Sequence, residues 1–272
     1  MSNICQTQYP ILMLHGAGFR DSKRVRYWGR IPSALAEHGA VIYYGGQDSW
    51  ATVEQNARVI KSKAEQILAQ TGSEKINIIA HSKGGLEARY LISTLKMGEK
   101  IASLTTLSTP HHGSQTMDRL YRIPQPLFRC AAGAVNLWFR LIGDNNPDFY
   151  PACAVFTTQH MKEFNRQNKN AKGVYYQSFA AAREGCTSDV VMMMTYFFIR
   201  CMEGENDGLV TPRSARWGDF RGVLRGASHR GVSHADVVDL RRRRLLIKTT
   251  RGDMDLLPFY ISLVSDLKRK GF

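Results

Sequence analysis

The chain has 272 residues, 43% of them hydrophobic, and carries a formal charge of +14 at pH 7. It contains no run of about 18 apolar residues for a membrane span and leaves no room for a signal peptide before the first predicted strand, so we expect a cytoplasmic protein. The charge favours peripheral contact with anionic lipid surfaces, whereas the lack of any recognised nucleic-acid-binding module excludes nucleic acid as the expected partner.

The first predicted strand covers residues 10–15 and runs into a glycine-rich loop, residues 15–19, with the sequence His-Gly-Ala-Gly-Phe. Glycine leaves such a loop free to aim a backbone N–H group at a reacting carbonyl oxygen. We assign this donor to Ala17 and place Phe19 among the candidate substrate contacts. The alternative is an ordinary turn between a strand and a helix.

The elements that follow alternate between strand and helix. A strand at 40–44 precedes a helix that begins at Thr52, where Gln55 completes a capping-box pattern, and that ends near Gly72. Four further strands are predicted, at 76–80, 101–107, 174–180 and 221–225. This alternation predicts an α/β fold with a mostly parallel sheet flanked by helices, in one domain that spans residues 1–272.

Ser82 follows the buried strand at 76–80 and precedes a helical pattern. The residues two positions before and after it, Ala80 and Gly84, are small, as a very tight turn between strand and helix requires. Such a turn lifts the serine hydroxyl above the sheet, at a helix N-terminus where free N–H groups stabilise an oxyanion. The backbone N–H of Lys83 is therefore the second candidate donor, and we expect the lysine side chain to be dispensable.

Residues 114–172 break the strand pattern and are predicted to form a helical cap or a mobile lid. Trp138 and Phe139 lie there in a helix-like run between proline-rich and glycine-rich breaks, and both are candidate substrate or lid contacts. A fixed structural cap is the alternative. A second apolar run, 190–199, is rich in methionine and would suit an adaptable acyl pocket, but its helical spacing is more typical of the core.

A serine nucleophile needs a base, and the base needs an orienting carboxylate. Asp207, in the turn-forming sequence Asn-Asp-Gly, is the candidate acid. Four other carboxylates compete for that role: Asp189, Glu203, Glu205 and Asp219. His234 starts a helix-like run and is favoured as the base over His229, which lies next to an arginine.

Several segments of the chain resemble, in order, those of bacterial triacylglycerol lipases of the α/β-hydrolase superfamily. They include Ala-His-Ser-Lys-Gly-Gly (80–85), Leu-Ser-Thr-Pro-His-His-Gly-Ser (107–114) and Asn-Asp-Gly-Leu-Val (206–210). The resemblance implies a catalytic triad of Ser82, Asp207 and His234, with Ala17 and Lys83 as oxyanion donors. It also implies an α/β-hydrolase fold and hydrolysis of fatty-acyl esters such as acylglycerols, with no cofactor required.

Some members of that family bind a structural calcium near the catalytic histidine. Asp236 matches one position of their signature, but Leu240 stands where the signature has glutamine. Asp236 is thus a lone calcium candidate, and no metal is expected. The five cysteines show no metal-binding spacing and are expected to be free thiols, with Cys130 and Cys153 as the pair able to bridge the insertion.

Three alternatives to a lipase stay open at the level of the sequence. The same residues would serve an esterase that acts on soluble short-chain esters, and they would serve an acyltransferase with an alcohol acceptor. A lipid-binding scaffold on the same fold is the non-enzymatic alternative, and the presence of candidates for all three triad positions argues against it.

Overall fold

The computed structural model of the protein describes residues 3–18, 26–122, 133, 136, 137, 140, 147–185, 189, 192–227, 231–249 and 252–272. Within these residues, eight strands form one sheet in the order β2-β1-β3-β4-β5-β6-β7-β8. They are Ile11–Leu14 (β1), Ile42–Tyr44 (β2), Ile76–His81 (β3), Ile101–Leu107 (β4), Tyr175–Ala182 (β5), Asp219–Gly226 (β6), Leu246–Thr249 (β7) and Gly252–Asp255 (β8). Strands β1 to β6 are parallel, and β7 and β8 continue the sheet in antiparallel pairing.

Helices flank this sheet, as the crossover between parallel strands requires. They are Ile31–Glu37 (α1), Val53–Thr71 (α2), Lys83–Ser93 (α3), Gln115–Leu120 (α4), Phe149–Ala154 (α5), Thr158–Gln167 (α6), Met193–Glu203 (α7) and Leu256–Arg269 (α8). The predicted limits of α2 are confirmed: Thr52 and Gln55 form a capping box, and Gly72 ends the helix with φ of 66°. None of the helices that the structure describes is long and apolar enough to cross a membrane.

The centre of the sheet explains why its strands are easy to find in the sequence. Every residue of β1, β3 and β4 is buried, as expected for parallel strands covered on both faces. Leu12 of β1 pairs with Ile78 of β3, which in turn pairs with Leu104 of β4. Because these strands are parallel, the loops at their carboxyl ends lie along one edge of the sheet, where α/β proteins place their sites.

The second half of the chain differs from the sequence-based expectations in two places. The β7–β8 hairpin was not predicted, since its two strands have only four residues each and carry charged or polar residues at several positions. The spacing of the run at 190–199 favours the core, and within its described part Tyr196 and Ile199 are buried, but Phe197 and Phe198 of α7 are 57% and 52% exposed. Residues 190 and 191 lie outside the described residues. The hydropathy of the run was clear from the sequence, but the direction in which each face points depends on tertiary packing.

The predicted insertion at 114–172 is helical at α4, α5 and α6, which are the elements described within it. Trp138, Phe139 and Phe19, the candidate substrate and lid contacts, lie outside the described residues, so the mobile lid stays a prediction. Cys153 is a buried free thiol, and its suggested partner Cys130 also lies outside the described residues.

Candidate active site

Ser82 occupies a strained turn between β3 and α3. Its φ of 53° and ψ of −128° place it outside the regions that non-glycine residues ordinarily adopt. Its backbone N–H donates to the carbonyl of Leu107 at 3.0 Å, which ties the turn to the end of β4. A Cβ on Gly84 would lie 2.5 Å from the carbonyl oxygen of His15, so only glycine fits there without a shift of the backbone. Strain of this kind persists where the surrounding structure holds it and is common at functional sites.

Asp207 and His234 form a buried pair at the carboxyl-end edge of the sheet. His234 Nδ1 lies 2.9 Å from Asp207 Oδ2, and the backbone N–H of His234 donates to the Asp207 carbonyl at 2.8 Å. The other carboxylate oxygen of Asp207 accepts N–H groups from Leu209 and Val210 at 3.0 and 2.8 Å. The aspartate side chain is fully buried. Its position is therefore fixed, and it fixes the imidazole in turn.

The pair lies against the serine turn. The ring centroids of His234 and His81 are 4.3 Å apart, and His81 directly precedes Ser82 in the chain. The structure therefore places the Asp207–His234 pair beside the residue that precedes Ser82. The three candidates follow one another along the chain in the order serine, acid, histidine, which is one of the known orders for a serine turn of this kind.

The competing acids are engaged elsewhere. Glu203 accepts hydrogen bonds from Ser114 and Thr116. The other three carboxylates each pair with a different residue: Glu205 with Arg225, Asp189 with Arg241, and Asp219 with Tyr175. The competing base, His229, lies outside the described residues.

The glycine-rich loop after β1 packs directly on the serine. A Cβ on Gly16 would lie 2.8 Å from Ser82 Cβ and 3.3 Å from Ser82 Oγ. The N–H of Gly16 donates to the Tyr27 hydroxyl at 2.9 Å, and that hydroxyl lies 2.5 Å from Nδ1 of His81. Ala17 follows in the same loop. Tyr27 thus joins the loop to the strand end that carries the serine, a role that sequence reasoning missed because a single tyrosine carries no positional signal.

Gly16→Ala should lower kcat for a dissolved short-chain ester by roughly 100-fold, the scale of loss when a reacting group is displaced by about 1 Å. The added methyl group would meet Ser82 Cβ, so either the loop or the serine must move. Steady-state hydrolysis of p-nitrophenyl acetate measures this. Gly133→Ala, whose methyl group meets no atom within 4 Å, is the control and should keep wild-type kcat. Equal activity of both variants would show that the loop does not constrain the serine.

The side chain of Lys83 has a role that the sequence did not reveal. Lys83 Nζ lies 2.6 Å from Oε1 of Glu87 and donates to the carbonyl of Ala51 at 2.5 Å. Both charged side chains are almost fully buried, at 1% and 2% exposure. Glu87 Oε1 also accepts from Asn56 Nδ2 at 2.7 Å, and its other oxygen accepts from Gln47 Nε2. The buried lysine side chain therefore has a structural role, and its dispensability for catalysis stays a prediction.

The same network reaches the loop that packs on Ser82. Gln47 Nε2 lies 3.3 Å from the His15 carbonyl oxygen, and His15 Nε2 lies 3.0 Å from the Gln47 carbonyl oxygen. The network begins on α3, one residue after the serine, and ends on the loop after β1. It therefore links α3, which begins at Lys83, to His15 at the start of the loop that contains Ala17.

Two buried histidines near the site should make stability depend on pH. Burial lowers the pKa of His81 well below its usual value, with a further contribution from His234, and burial also lowers the pKa of His111. Below about pH 6.5 the unfolded chain takes up protons on these residues and the folded chain does not, so stability falls with falling pH.

Urea unfolding between about pH 7.5 and 5.5 measures this loss. Below pH 6.5, each of the two histidines should lower the free energy of unfolding by up to about 1.4 kcal/mol per pH unit. The sign follows from the direction of the shifts: a lowered histidine pKa gives the unfolded state the greater number of bound protons in this range. A free energy of unfolding that stays level or rises as the pH is lowered to 5.5 would contradict the burial of uncharged histidines.

No cluster of three or more His, Cys, Asp or Glu side chains suited to a metal lies among the described residues. Asp236, the calcium candidate, accepts hydrogen bonds from the N–H and the hydroxyl of Ser233 at 3.2 and 2.8 Å.

The chain matches the palmitoyl protein thioesterase family over residues 10–225. It is 29% identical over 262 residues to triacylglycerol lipase 2 of Saccharomyces cerevisiae, covering 91% of this chain and 75% of that protein. It is 32% identical over 178 residues to a triacylglycerol lipase of Pseudarthrobacter phenanthrenivorans, covering 61% of this chain and 55% of the relative, so it matches only about half of that protein's length.

Among solved structures, the mature form of a lipase from Bacillus licheniformis superposes with a TM-score of 0.67 at 19% identity, over 94% of this chain and 91% of that one. This likeness shows the fold, and it confirms the predicted mostly parallel sheet flanked by helices. The family match covers most of the chain. The chain therefore belongs to the palmitoyl protein thioesterase family of α/β-hydrolases, which confirms the predicted class of enzyme, an ester hydrolase.

Proposed function

We propose that the protein hydrolyses fatty-acyl esters through an acyl-enzyme formed on Ser82, with His234 as the base and Asp207 as the orienting acid. The observation that carries this proposal is the buried Asp207–His234 pair, joined at 2.9 Å and packed against the residue that precedes Ser82. A hydrogen-bonded aspartate on Nδ1 leaves Nε2 of the imidazole to serve the serine.

In the proposed reaction, Ser82 Oγ attacks the ester carbonyl carbon while His234 Nε2 takes the hydroxyl proton. The carbonyl oxygen becomes an oxyanion, which the N–H groups of Ala17 and Lys83 stabilise. Asp207 stabilises the imidazolium. The tetrahedral intermediate then expels the alcohol, which receives the proton from His234.

Water completes the cycle. His234 takes a proton from a water molecule, whose oxygen attacks the acyl carbon, and the second tetrahedral intermediate releases the fatty acid as Ser82 recovers its proton. One ester and one water give one acid and one alcohol, with no change of oxidation state. The chemistry uses only groups of the chain, and we propose that it requires no cofactor.

Acylglycerols are the proposed substrate class, a choice supported by the names of the yeast and Pseudarthrobacter relatives. Hydrolysis of acyl thioesters is the second candidate, favoured by the description of the matching family. Both reactions pass through the same acyl-enzyme, and they differ in the leaving group.

A substrate panel tests the proposal and separates the two candidates. Initial rates are measured on p-nitrophenyl esters from acetate to palmitate, on an emulsified triacylglycerol and on palmitoyl-coenzyme A. Higher kcat/KM for long-chain oxygen esters, with release of fatty acid from the emulsion, is the expected result. A higher kcat/KM for palmitoyl-coenzyme A would favour the thioesterase function. Activity on the acetate ester alone would indicate an esterase that acts on soluble short-chain esters.

Treatment with EDTA should leave both the hydrolysis rate and the thermal midpoint unchanged. The proposed mechanism has no step that uses a metal, and the carboxylate of Asp236 already accepts two hydrogen bonds from Ser233. Differential scanning fluorimetry with EDTA, with calcium and with neither measures the midpoint. A rise in the midpoint on adding calcium after EDTA would instead favour a structural calcium site, which is the property seen in some bacterial lipases.

A further inference from the structure

Helix α7 has two apolar faces. Tyr196 and Ile199 point inward and are 6% and 5% exposed. On the opposite side lie four large apolar side chains that we call the α7 outer face; they are Met193, Met194, Phe197 and Phe198, at 37%, 60%, 57% and 52% exposure. Their spacing in the chain places them in one stripe along the helix. A stripe of this kind, unlike single exposed apolar residues, marks a surface that meets another molecule.

Helix α7 is held in place by contacts along its length, although its outer face is exposed. At its start, the N–H of Met192 donates to Oδ1 of Asp189. At its end, Glu203 accepts hydrogen bonds from the residues that begin α4. In the middle, the Arg183 guanidinium lies 4.6 Å from the centre of the Tyr196 ring. Contacts at the start, the middle and the end of α7 thus fix the helix, so its outer face points in one direction.

Arginines lie on and beside α7. Arg200 on the helix is exposed, and Asp189 at the start of the helix pairs with Arg241, the first of four consecutive arginines. The last of these, Arg244, is 87% exposed and lies 3.9 Å from Asp255. Of the carboxylates that follow α7, Glu205 pairs with Arg225, whereas Glu203, at the end of the helix, accepts hydrogen bonds from the uncharged residues that begin α4. The apolar stripe thus has one exposed arginine beside it, on a chain whose net charge is +14.

The outer face also lies close to the proposed catalytic acid. Helix α7 leads after three residues into the loop of Asp207, and a Cβ on Gly208 of that loop would lie 3.1 Å from Cβ of Met192. Leu209 in the same loop is 41% exposed. A flat partner seated on α7 would thus lie next to the loop that orients His234.

We propose that the α7 outer face docks on an anionic lipid bilayer, with Phe197 and Phe198 in the boundary between headgroups and acyl chains and the arginines on the lipid phosphates. An amphipathic helix with aromatic residues on one side and basic residues around it is suited to that position. A second copy of the chain would bring like charges together at a surface where each chain carries a net charge of +14. An anionic bilayer supplies the opposite charge. The proposal rests on the proposed function for its relevance to lipid substrates, and its test does not use activity.

Sedimentation with sucrose-loaded vesicles tests the docking. The vesicles contain phosphatidylcholine alone or phosphatidylcholine with phosphatidylglycerol. Binding to the anionic vesicles should exceed binding to the neutral ones and weaken as salt rises. The Phe197→Ser/Phe198→Ser variant should partition into the anionic vesicles at least about 10-fold less, since burying each phenylalanine contributes about as much as a tenfold change in affinity or more.

The matched control is Val41→Ser/Val59→Ser, which removes two exposed apolar side chains of 53% and 43% exposure away from α7. It should bind vesicles as the wild type does. The thermal midpoint of each variant is measured, and Met194→Ser, a smaller change on the same stripe, replaces the double variant if that one unfolds. Met194→Ser should weaken binding in the same direction.

Three results would overturn the proposal. One is equal vesicle binding by wild type and both α7 variants. Another is equal binding to neutral and anionic vesicles at all salt concentrations. The third is a wild-type dimer in size-exclusion chromatography that the α7 variants dissociate without losing vesicle binding, because the face would then serve self-association. Hydrolysis of a dissolved ester by the wild-type protein tests the proposed function separately, so failure of one idea is distinguishable from failure of the other.

Discussion

Replacement of Ser82 by alanine should lower kcat for ester hydrolysis by about 10⁶-fold, the scale of loss when the nucleophile of a serine triad is removed. The fold should persist, because the strained turn is fixed by the hydrogen bond to Leu107 and by the packing of Gly16 and Gly84 rather than by the hydroxyl. Steady-state kinetics on p-nitrophenyl butyrate and a thermal melt are the measurements. His234→Ala should be nearly as severe, since serine and histidine act as one unit.

Asp207→Asn should lower kcat by roughly 10⁴-fold, because an amide on Nδ1 of His234 favours the wrong tautomer of the imidazole. Asp219→Asn is the matched control: the same change at an exposed carboxylate that pairs with Tyr175 and Arg221. It should keep wild-type kcat. If Asp207→Asn keeps nearly wild-type kcat while Glu203→Gln or Glu205→Gln loses most of it, the acid has been assigned to the wrong residue.

Lys83→Met should lower the free energy of unfolding by about 3–5 kcal/mol, the cost of removing one partner from a buried ion pair. Glu87 would stay buried with its charge opposed only by the amides of Asn56 and Gln47. Adding Glu87→Met should recover much of the loss, since the buried charge then disappears. Urea unfolding near neutral pH, fitted to a two-state transition, measures the three variants.

The chain offers a control for this experiment with the same spacing. Lys61 and Glu65 also form an i,i+4 pair, on the surface of α2, with a separation of 4.0 Å. Lys61→Met should cost less than about 1 kcal/mol, as for other exposed pairs. If Lys83→Met and Lys61→Met destabilise the protein equally, the buried network would have no special role in holding the serine turn.

The contrast between these two ion pairs shows that the burial of a charged pair is not predictable from the sequence alone. A lysine four residues before a glutamate on a helix is normally a solvated pair, and the sequence contains nothing that separates Lys83 from Lys61. What buries Lys83 is the approach of Ala51, Asn56 and Gln47 from other segments of the chain. That approach is decided by tertiary packing.

The serine turn could be predicted because its requirements are local. A fully buried strand, a serine between small residues and a helix within a few positions are all visible in one short segment around Ser82. Asp207 and His234 are candidates because of the chemistry that the serine needs, although they lie 125 and 152 positions after it in the sequence. The role of Tyr27 and the outward face of α7 were missed, because each depends on contacts with distant parts of the chain.

Covalent labelling with a serine-reactive probe shows directly whether Ser82 is the residue that carries the acyl group. The protein is treated with a fluorophosphonate, digested, and analysed by mass spectrometry. We expect one added phosphonate on the peptide that contains Ser82, no label in Ser82→Ala, and much slower labelling in His234→Ala. Label on another serine, or ester hydrolysis that continues at the wild-type rate in Ser82→Ala, would contradict it.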